Sequence, residues 1–256
     1  MNVVYLQDER DKLLGGRNLF SVSEMFHENS RITECAPGVA ISQGSIAVAP
    51  CGFKRYVHAP TTALPPPHFS SADVEAAFVG RQSCRDYRHA AVSMEAVGTL
   101  AFSAMGQVGA QNRRCVPSAG GLYPLELYVA AFSVEGLDSG LYHYNVRAHG
   151  LARIRSSACQ DEFIRAIFIK DSVRTASAVL ALTGMFGRSK IKYGERAYRF
   201  VLLEAGHAMQ NMCLAATSAG LGLCPIGGFI DDVVNDTLEV DGIEEASIYL
   251  ATLGQR

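Results

Sequence analysis

The stretch SAVLALTGM at 177–185 constrains the fold more than any other part of the chain. It carries no charge, and it is far short of the roughly 18 residues that a membrane span needs. Such a run reads as a central strand covered on both faces, which requires packed layers on each side of a sheet. Upstream, LELYVAAFSV (125–134), GLYHYNV (140–146) and GLARIR (150–155) are apolar or alternating runs separated by turns containing Gly. They predict a three-stranded antiparallel meander. CPIGGF (224–229) reads as a short strand and tight loop, and ASIYLATLG (246–254) as a final strand. Helices are expected at 72–79, 93–105, 157–167 and 231–238. The longest is expected at 195–219, Ala-rich and apolar nearly all round, which predicts burial on most sides and a place at a dimer interface. Helices and antiparallel strands mix along one chain, so the expected class is α+β.

The 256 residues are 48% hydrophobic and 19% charged, which excludes a disordered chain and supplies one sizeable core. A net charge of −2 argues against a basic nucleic-acid binder. The opening MNVVYLQDERDKLL is charged too early for a signal peptide. Seven cysteines, widely spaced and without C-x-x-C, argue against a disulfide framework or a zinc site and suit a reducing cytoplasm. Residues 1–70 read as a short helix (18–28) followed by an extended arm that ends in LPPPH, and 71–256 as the main domain.

Four segments depart from ordinary local rules. In Arg81-Gln82-Ser83-Cys84-Arg85-Asp86-Tyr87, alternation turns Arg81, Ser83 and Arg85 one way in an extended chain, a donor set suited to a phosphate or carboxylate; a solvated loop is the competing reading. Pro117-Ser118-Ala119-Gly120-Gly121-Leu122-Tyr123-Pro124 brackets small residues between prolines, so its backbone can approach a flat ligand, or is an ordinary turn. Gly227 and Gly228 follow a strand and expose N–H groups; no strand–G-x-G-x-x-G–helix context makes them a dinucleotide fingerprint. Lys192 and Tyr193 open a cationic stretch with Lys190, Arg196 and Arg199. In a continuous helix, Lys192, Arg196 and Arg199 would share a face. Crowded cations favour the neutral form of an amine and the ionised form of a phenol, so the pair is a candidate general base, or part of a solvated face. Glu204, His207, Gln210 and Asn211 interrupt the apolar long helix and read as a hydrogen-bond network, with Glu204 and His207 on one side, near Asn211. P-loop, H-E-x-x-H and G-x-S-x-G motifs are absent.

Taken in order, R-x-S-x-R-x-Y, PSAGGLYPLELY, KYGERAYRF, LEAGHAMQNMCLAA and PIGGF resemble the flavin-dependent nitroreductase superfamily. PSAG-x-LYP and KYGER-x-YR resemble its SagB-type dehydrogenases, which oxidise azolines to azoles; weaker echoes lie in MFHENS (25–30), FKRY (53–56) and LPPP (64–67). The resemblance implies a nitroreductase-like fold, an intertwined homodimer and FMN at its interface. Arg81, Gln82, Ser83 and Arg85 match the motif that binds FMN phosphate and ribityl. Pro117, Ser118, Ala119 and Gly121 match the loop that reaches over the flavin from the partner subunit, and Gly227 and Gly228 the loop near the ring edge. Gly227 stands where many nitroreductases carry Glu. Arg256 is the one late cation left for the phosphate. Lys192 and Tyr193 match the pair held to assist proton transfer. The implied substrate is a peptide-borne or carrier-bound heterocycle, with oxygen as the acceptor and other biosynthetic enzymes as partners. An NAD(P)H-dependent nitro- or quinone reductase and a non-catalytic flavin-binding scaffold are the competing functions.

Overall fold

A computed structural model describes residues 53–69, 74–109 and 113–256. The expected helix at 18–28 and most of the arm lie outside the described residues. The described chain begins with β1 (Thr61–Ala63), α1 (Val74–Gly80), β2 (Val92–Ser93), α2 (Met94–Met105), β3 (Gln107–Val108) and β4 (Arg113–Arg114). Strands β5 (Leu125–Ala131), β6 (Val134–Glu135), β7 (Gly140–Asn145) and β8 (Gly150–Arg155) follow. Then come α3 (Gln160–Ala166), α4 (Lys170–Thr175), β9 (Ala178–Met185), α5 (Phe186–Tyr193) and α6 (Arg196–Ser218). The chain ends with β10 (Leu221–Ile226), α7 (Asp231–Leu238) and β11 (Glu245–Gln255).

Seven strands form one antiparallel sheet in the order β1-β8-β7-β5-β9-β11-β10. The expected meander is β5-β7-β8, and the apolar run is β9, central and buried along all but its last residue. Alternation along the strands explains the layers. Leu125, Leu127, Val129, Leu180 and Leu182 join α2 and α6 in one core; Tyr128, Ala130, Val179 and Ala181 join α3, α4 and α7 in the other. Each fully buried Leu or Val stabilises the fold by about 1.5–3 kcal/mol, so the sheet interior is its main support. Ser93 caps α2 by accepting from the Ala96 N–H at 3.1 Å, which fixes where that helix starts.

Two readings of the sequence need correction. The arm contributes an edge strand, β1, registered against Leu151 through Thr62; its three residues lie in a stretch read only as extended. The long helix α6 buries Val201, Glu204, Ala205, Ala208, Met209 and Met212, while Leu202, Leu203, Gly206, His207 and Gln210 face outward. It is therefore open along one side within a single chain. Glu204 and His207 accordingly part company, because three residues turn a helix by about 300° and the boundary of the buried face falls between them.

The five cysteines among the described residues are free thiols. No helix among the described residues is long and apolar enough to cross a membrane.

Candidate functional site

The segment from Arg81 to Arg88 crosses one end of the sheet, and two glycines make the crossing possible. Ser83 bridges to Leu223 in parallel on the outer side of β10, and Arg88 bridges to Gln255 of β11. Between them the Tyr87 ring lies across β10 and β11. A Cβ on Gly254 would sit 2.6 Å from Tyr87 Cγ, and one on Gly222 would sit 2.8 Å from Cys84 Sγ. Any side chain there would evict the segment. Tyr87 is 4% exposed and its hydroxyl is held by Thr252 Oγ1 at 2.8 Å, so burial pushes the phenol pKa up and it acts as an anchor. Arg81 and Ser83 are half-buried and Gln82 and Arg85 exposed, so Arg85 does not share the setting of Arg81 and Ser83 that alternation predicts. Gly227 and Gly228 continue directly from β10, both exposed. Arg256 ends the neighbouring strand, and its buried Nε has no hydrogen-bond partner among the described residues.

The second group forms around the loop at 117–123. Gly120, Gly121 and Tyr123 adopt φ of 64°, 66° and 46°, so the chain folds tightly back on itself. The Ser118 hydroxyl accepts from the Tyr123 N–H at 2.8 Å, and Gly121 N–H donates to Ser118 carbonyl at 3.0 Å. Tyr123 Oη in turn accepts from the Arg114 N–H at 3.1 Å. Against this loop lie Lys192 and Tyr193. A Cβ built on Gly120 would be 2.7 Å from Tyr193 Oη and 3.0 Å from Lys192 Nζ. A side chain at 120 would meet both a left-handed backbone angle and the free ends of these two side chains.

The helix break that permits this is Gly194, at φ 53°. It ends α5 at Tyr193 and lets α6 start at Arg196, so Lys192 does not share a helical face with Arg196 and Arg199, as a continuous helix would require. The cationic stretch disperses accordingly: Lys190 lies 3.8 Å from Glu195, and the Arg196 guanidinium sits 5.6 Å from the Phe200 ring centroid. Lys192 and Tyr193 stay half-buried, the Tyr193 ring packed edge-on to Phe200 at 5.0 Å.

Beneath the loop sits Glu204, 3% exposed and bonded to the Ser118 hydroxyl. Burial pushes its carboxyl up to about 7, with the Ser118 bond and the Arg114 charge opposing only in part. A raised folded-state pKa gives stability that is full below the unfolded value near 4.3 and is lost as pH rises through about 7. Glu204→Gln is therefore expected to stabilise the protein by about 2–3 kcal/mol at pH 8, the gain fading toward pH 5. Urea unfolding at the two pH values checks this; a gain of equal size at both would contradict it. Beside the loop opens a cavity of about 400 Å³ lined by Arg113, Arg114, Cys115, Pro117 and Tyr123. Another of about 400 Å³, lined in part by Ser93, Glu95, Leu221 and Gln255, lies at the opposite end of the sheet and holds none of the candidate residues.

The structure thus gathers the expected residues into two groups rather than one. Arg81, Gln82, Ser83 and Arg85 flank the outer side of β10, with Gly227 and Gly228 at its far end and Arg256 beside its start; Pro117, Ser118, Ala119, Gly121, Lys192 and Tyr193 meet in front of β5. Both loops lie at the same end of the sheet, since β5 starts where β10 finishes. In register, Ile226 faces Leu250, Leu250 faces Ala181, and Ala181 faces Tyr128. Three inter-strand steps of about 4.8 Å set the strands β10 and β5 roughly 14 Å apart in one chain. Among the described residues no three His, Cys, Asp or Glu side chains form a metal site.

A profile described as the nitroreductase family matches residues 79–255. Over 190 residues the chain is 31% identical to the putative nitroreductase MJ1384 of Methanocaldococcus jannaschii, covering 74% of this chain and 94% of that protein. It is 32% identical over 135 residues to the microcin B17-processing protein McbC of Escherichia coli, covering 50% of this chain and 49% of McbC. A putative nitroreductase from Anabaena variabilis superposes with TM-score 0.74 at 28% identity, over 91% of this chain and 46% of that one. A chain of the E. coli microcin synthetase McbBCD complex with truncated pro-MccB17 bound has the same fold, with TM-score 0.60 at 23% identity, over 91% and 86% of the two chains. This chain therefore matches about half the length of McbC and of the Anabaena protein.

Proposed function

Because this chain belongs to the nitroreductase family, we propose that it is an FMN-dependent dehydrogenase that oxidises an azoline ring, carried on a peptide or a tethered intermediate, to the aromatic azole. The observation that carries this reading is the convergence of Lys192 Nζ and Tyr193 Oη on Gly120. Aromatisation removes two hydrogens from adjacent ring atoms, one as hydride and one as a proton. FMN, when bound, supplies the hydride acceptor. The proton needs a separate acceptor, and an amine and a phenol side by side against a backbone wall provide one. The half-buried setting of the pair limits competition from water. The microcin-processing role in the name of McbC supports a peptide as carrier of the ring.

The residues around β10 fit FMN. Arg81, Ser83 and Arg85 supply charge-assisted donors to its phosphate, and the orphaned Nε of Arg256 is a further donor awaiting an acceptor. Gln82 serves the ribityl chain, and the exposed N–H groups of Gly227 and Gly228 serve the ring edge. Pro117, Ser118, Ala119 and Gly121 present backbone to the flat face. The three strand positions that separate β10 from β5 support a homodimer in which each chain lends its loop to the other's flavin. The open side of α6, with Leu202 and Leu203, is the surface available for that contact.

The test is to purify the protein, measure bound FMN and mass in solution, and then offer azoline model compounds in air. A yellow dimer that releases azole is expected. A colourless protein that takes up no added FMN would end this reading. Rapid bleaching by NADPH under nitrogen, with azolines untouched, would turn it into a reductase. Arg85→Ala is expected to weaken FMN binding by about 1.5–3 kcal/mol, read as a rise in Kd by fluorescence titration.

A further inference from the structure

We propose that Arg188 is a positioning residue that sets Lys192 and Tyr193 against the 117–123 loop, with Glu126 and His143 as its buried support. The inference rests on reading Lys192 and Tyr193 as the proton acceptor. Arg188 lies one helical turn before Lys192 on α5 and is 12% exposed. Its guanidinium makes two contacts in different directions. Nη1 donates to the carbonyl oxygen of Tyr123 at 3.0 Å, and Nη2 meets Glu126 Oε1 at 2.6 Å. Tyr123 closes the loop through its N–H bond to Ser118. One side chain therefore ties the helix that carries the pair to the loop that the pair touches.

The need for such a tie follows from helix geometry. Adjacent helical residues point about 100° apart. Bringing Lys192 Nζ and Tyr193 Oη to the same glycine works for only one rotation and height of the end of α5. Helix ends fray unless something holds them, and Gly194 removes the support that a continuing helix would give. Arg188 supplies it, and its planar fork does what a single ammonium does not: it reaches a carbonyl and a carboxylate at once.

Glu126 occupies a central strand and is 3% exposed, a costly place for a lone charge. Its other oxygen lies 2.7 Å from His143 Nε2. Burial by itself would push the Glu126 carboxyl up; the His143 bond and the Arg188 charge overcome this and hold it below its ordinary value. An ionised carboxylate only accepts, so Nε2 carries the proton of this bond. The imidazole packs against Tyr56 and Tyr128, with ring centroids 5.2 and 5.3 Å away. Its Nδ1 is buried with no hydrogen-bond partner among the described residues. Such a site keeps the carboxylate charged and still, and so keeps Arg188 still.

The test compares Arg188→Met, Arg188→Lys, Lys192→Ala and the Arg188→Met/Lys192→Ala double variant as FMN-loaded proteins, measuring kcat and KM for an azoline, flavin absorbance and Tm. Arg188→Met is expected to lower kcat by about 10- to 100-fold with flavin retained, as for a small misplacement of reacting groups. KM should stay within about twofold, since the loss falls on the chemical step. Arg188→Lys should recover Tm, because it still neutralises Glu126, but not kcat, because it lacks the fork to Tyr123. The double variant should be no slower than Lys192→Ala. Recovery of both Tm and kcat by lysine, or losses that multiply in the double variant, would make Arg188 a structural residue only and overturn the proposal. A parental rate for Arg188→Met beside a slow Lys192→Ala overturns it alone, whereas a parental rate for Lys192→Ala overturns the base assignment and this inference with it. Should Arg188→Met not fold, the lysine variant carries the same comparison.

Discussion

Lys192→Ala and Tyr193→Phe are each expected to slow azoline oxidation by about 10²- to 10⁴-fold, the range for a positioned general base. Flavin content and mass in solution should be unchanged, because neither side chain belongs to the group around β10. The two losses should not add. Nζ and Oη approach the same position, where a side chain at 120 would begin, with Nζ 5.4 Å from the phenol ring centroid, and groups acting as a unit share one loss. Stopped-flow reduction of the flavin by substrate, without oxygen, reads the chemical step directly. Parental rates in both variants would leave the pair as packing around the loop and remove the base from the mechanism.

Gly120→Ala should be nearly as damaging to the reaction and much less so to the fold. The added methyl would fall on Tyr193 Oη and Lys192 Nζ, the free ends of long side chains, and these give way more easily than backbone. The left-handed angle at 120 adds roughly 1–2 kcal/mol of strain for a residue with a Cβ. The expected outcome is a folded, flavin-binding protein that is slower by about 10²-fold, since shifts of an ångström in reacting groups have effects of that size. Tm and flavin absorbance measured beside kcat separate the alternatives. A collapse in Tm with kcat per flavin unchanged would mean that the loop is scaffold, not part of the reaction centre.

Glu126, His143 and Arg188 could have been suspected earlier. A glutamate in LELYVAA and a histidine in GLYHYNV are charged or polar residues in strands otherwise apolar on both faces, and a buried carboxylate implies a partner. What alternation could not supply was the partner's identity. Arg188 is 62 residues from Glu126, on a helix whose own sequence, FGRSKIKY, presents several cations of equal standing. Only the packing of α5 over the start of β5 selects Arg188 for the carboxylate and leaves Lys190 facing Glu195. The misjudged burial of α6 has a similar source. Leu202 and Leu203 are apolar and so look internal, yet a side chain's hydrophobicity does not say whether its cover comes from the same chain.

By itself the sequence determined the class of fold, the central place of β9, the meander and most helix positions, because these follow from local periodicity and from turn residues near them. It also marked the segments that carry Arg81, Gly120, Lys192 and Gly227. The grouping of those segments was decided by tertiary structure. Whether Arg81 lies with Gly227, or Lys192 with Gly120, depends on strand order and register, and these are set by the summed burial of two cores across residues far apart in the chain. The break at Gly194 is the sharpest instance. The residue type permits a helix or a turn, and the turn prevails because it seats Lys192 and Tyr193 on the loop while α6 still buries Val201, Ala205 and Met209.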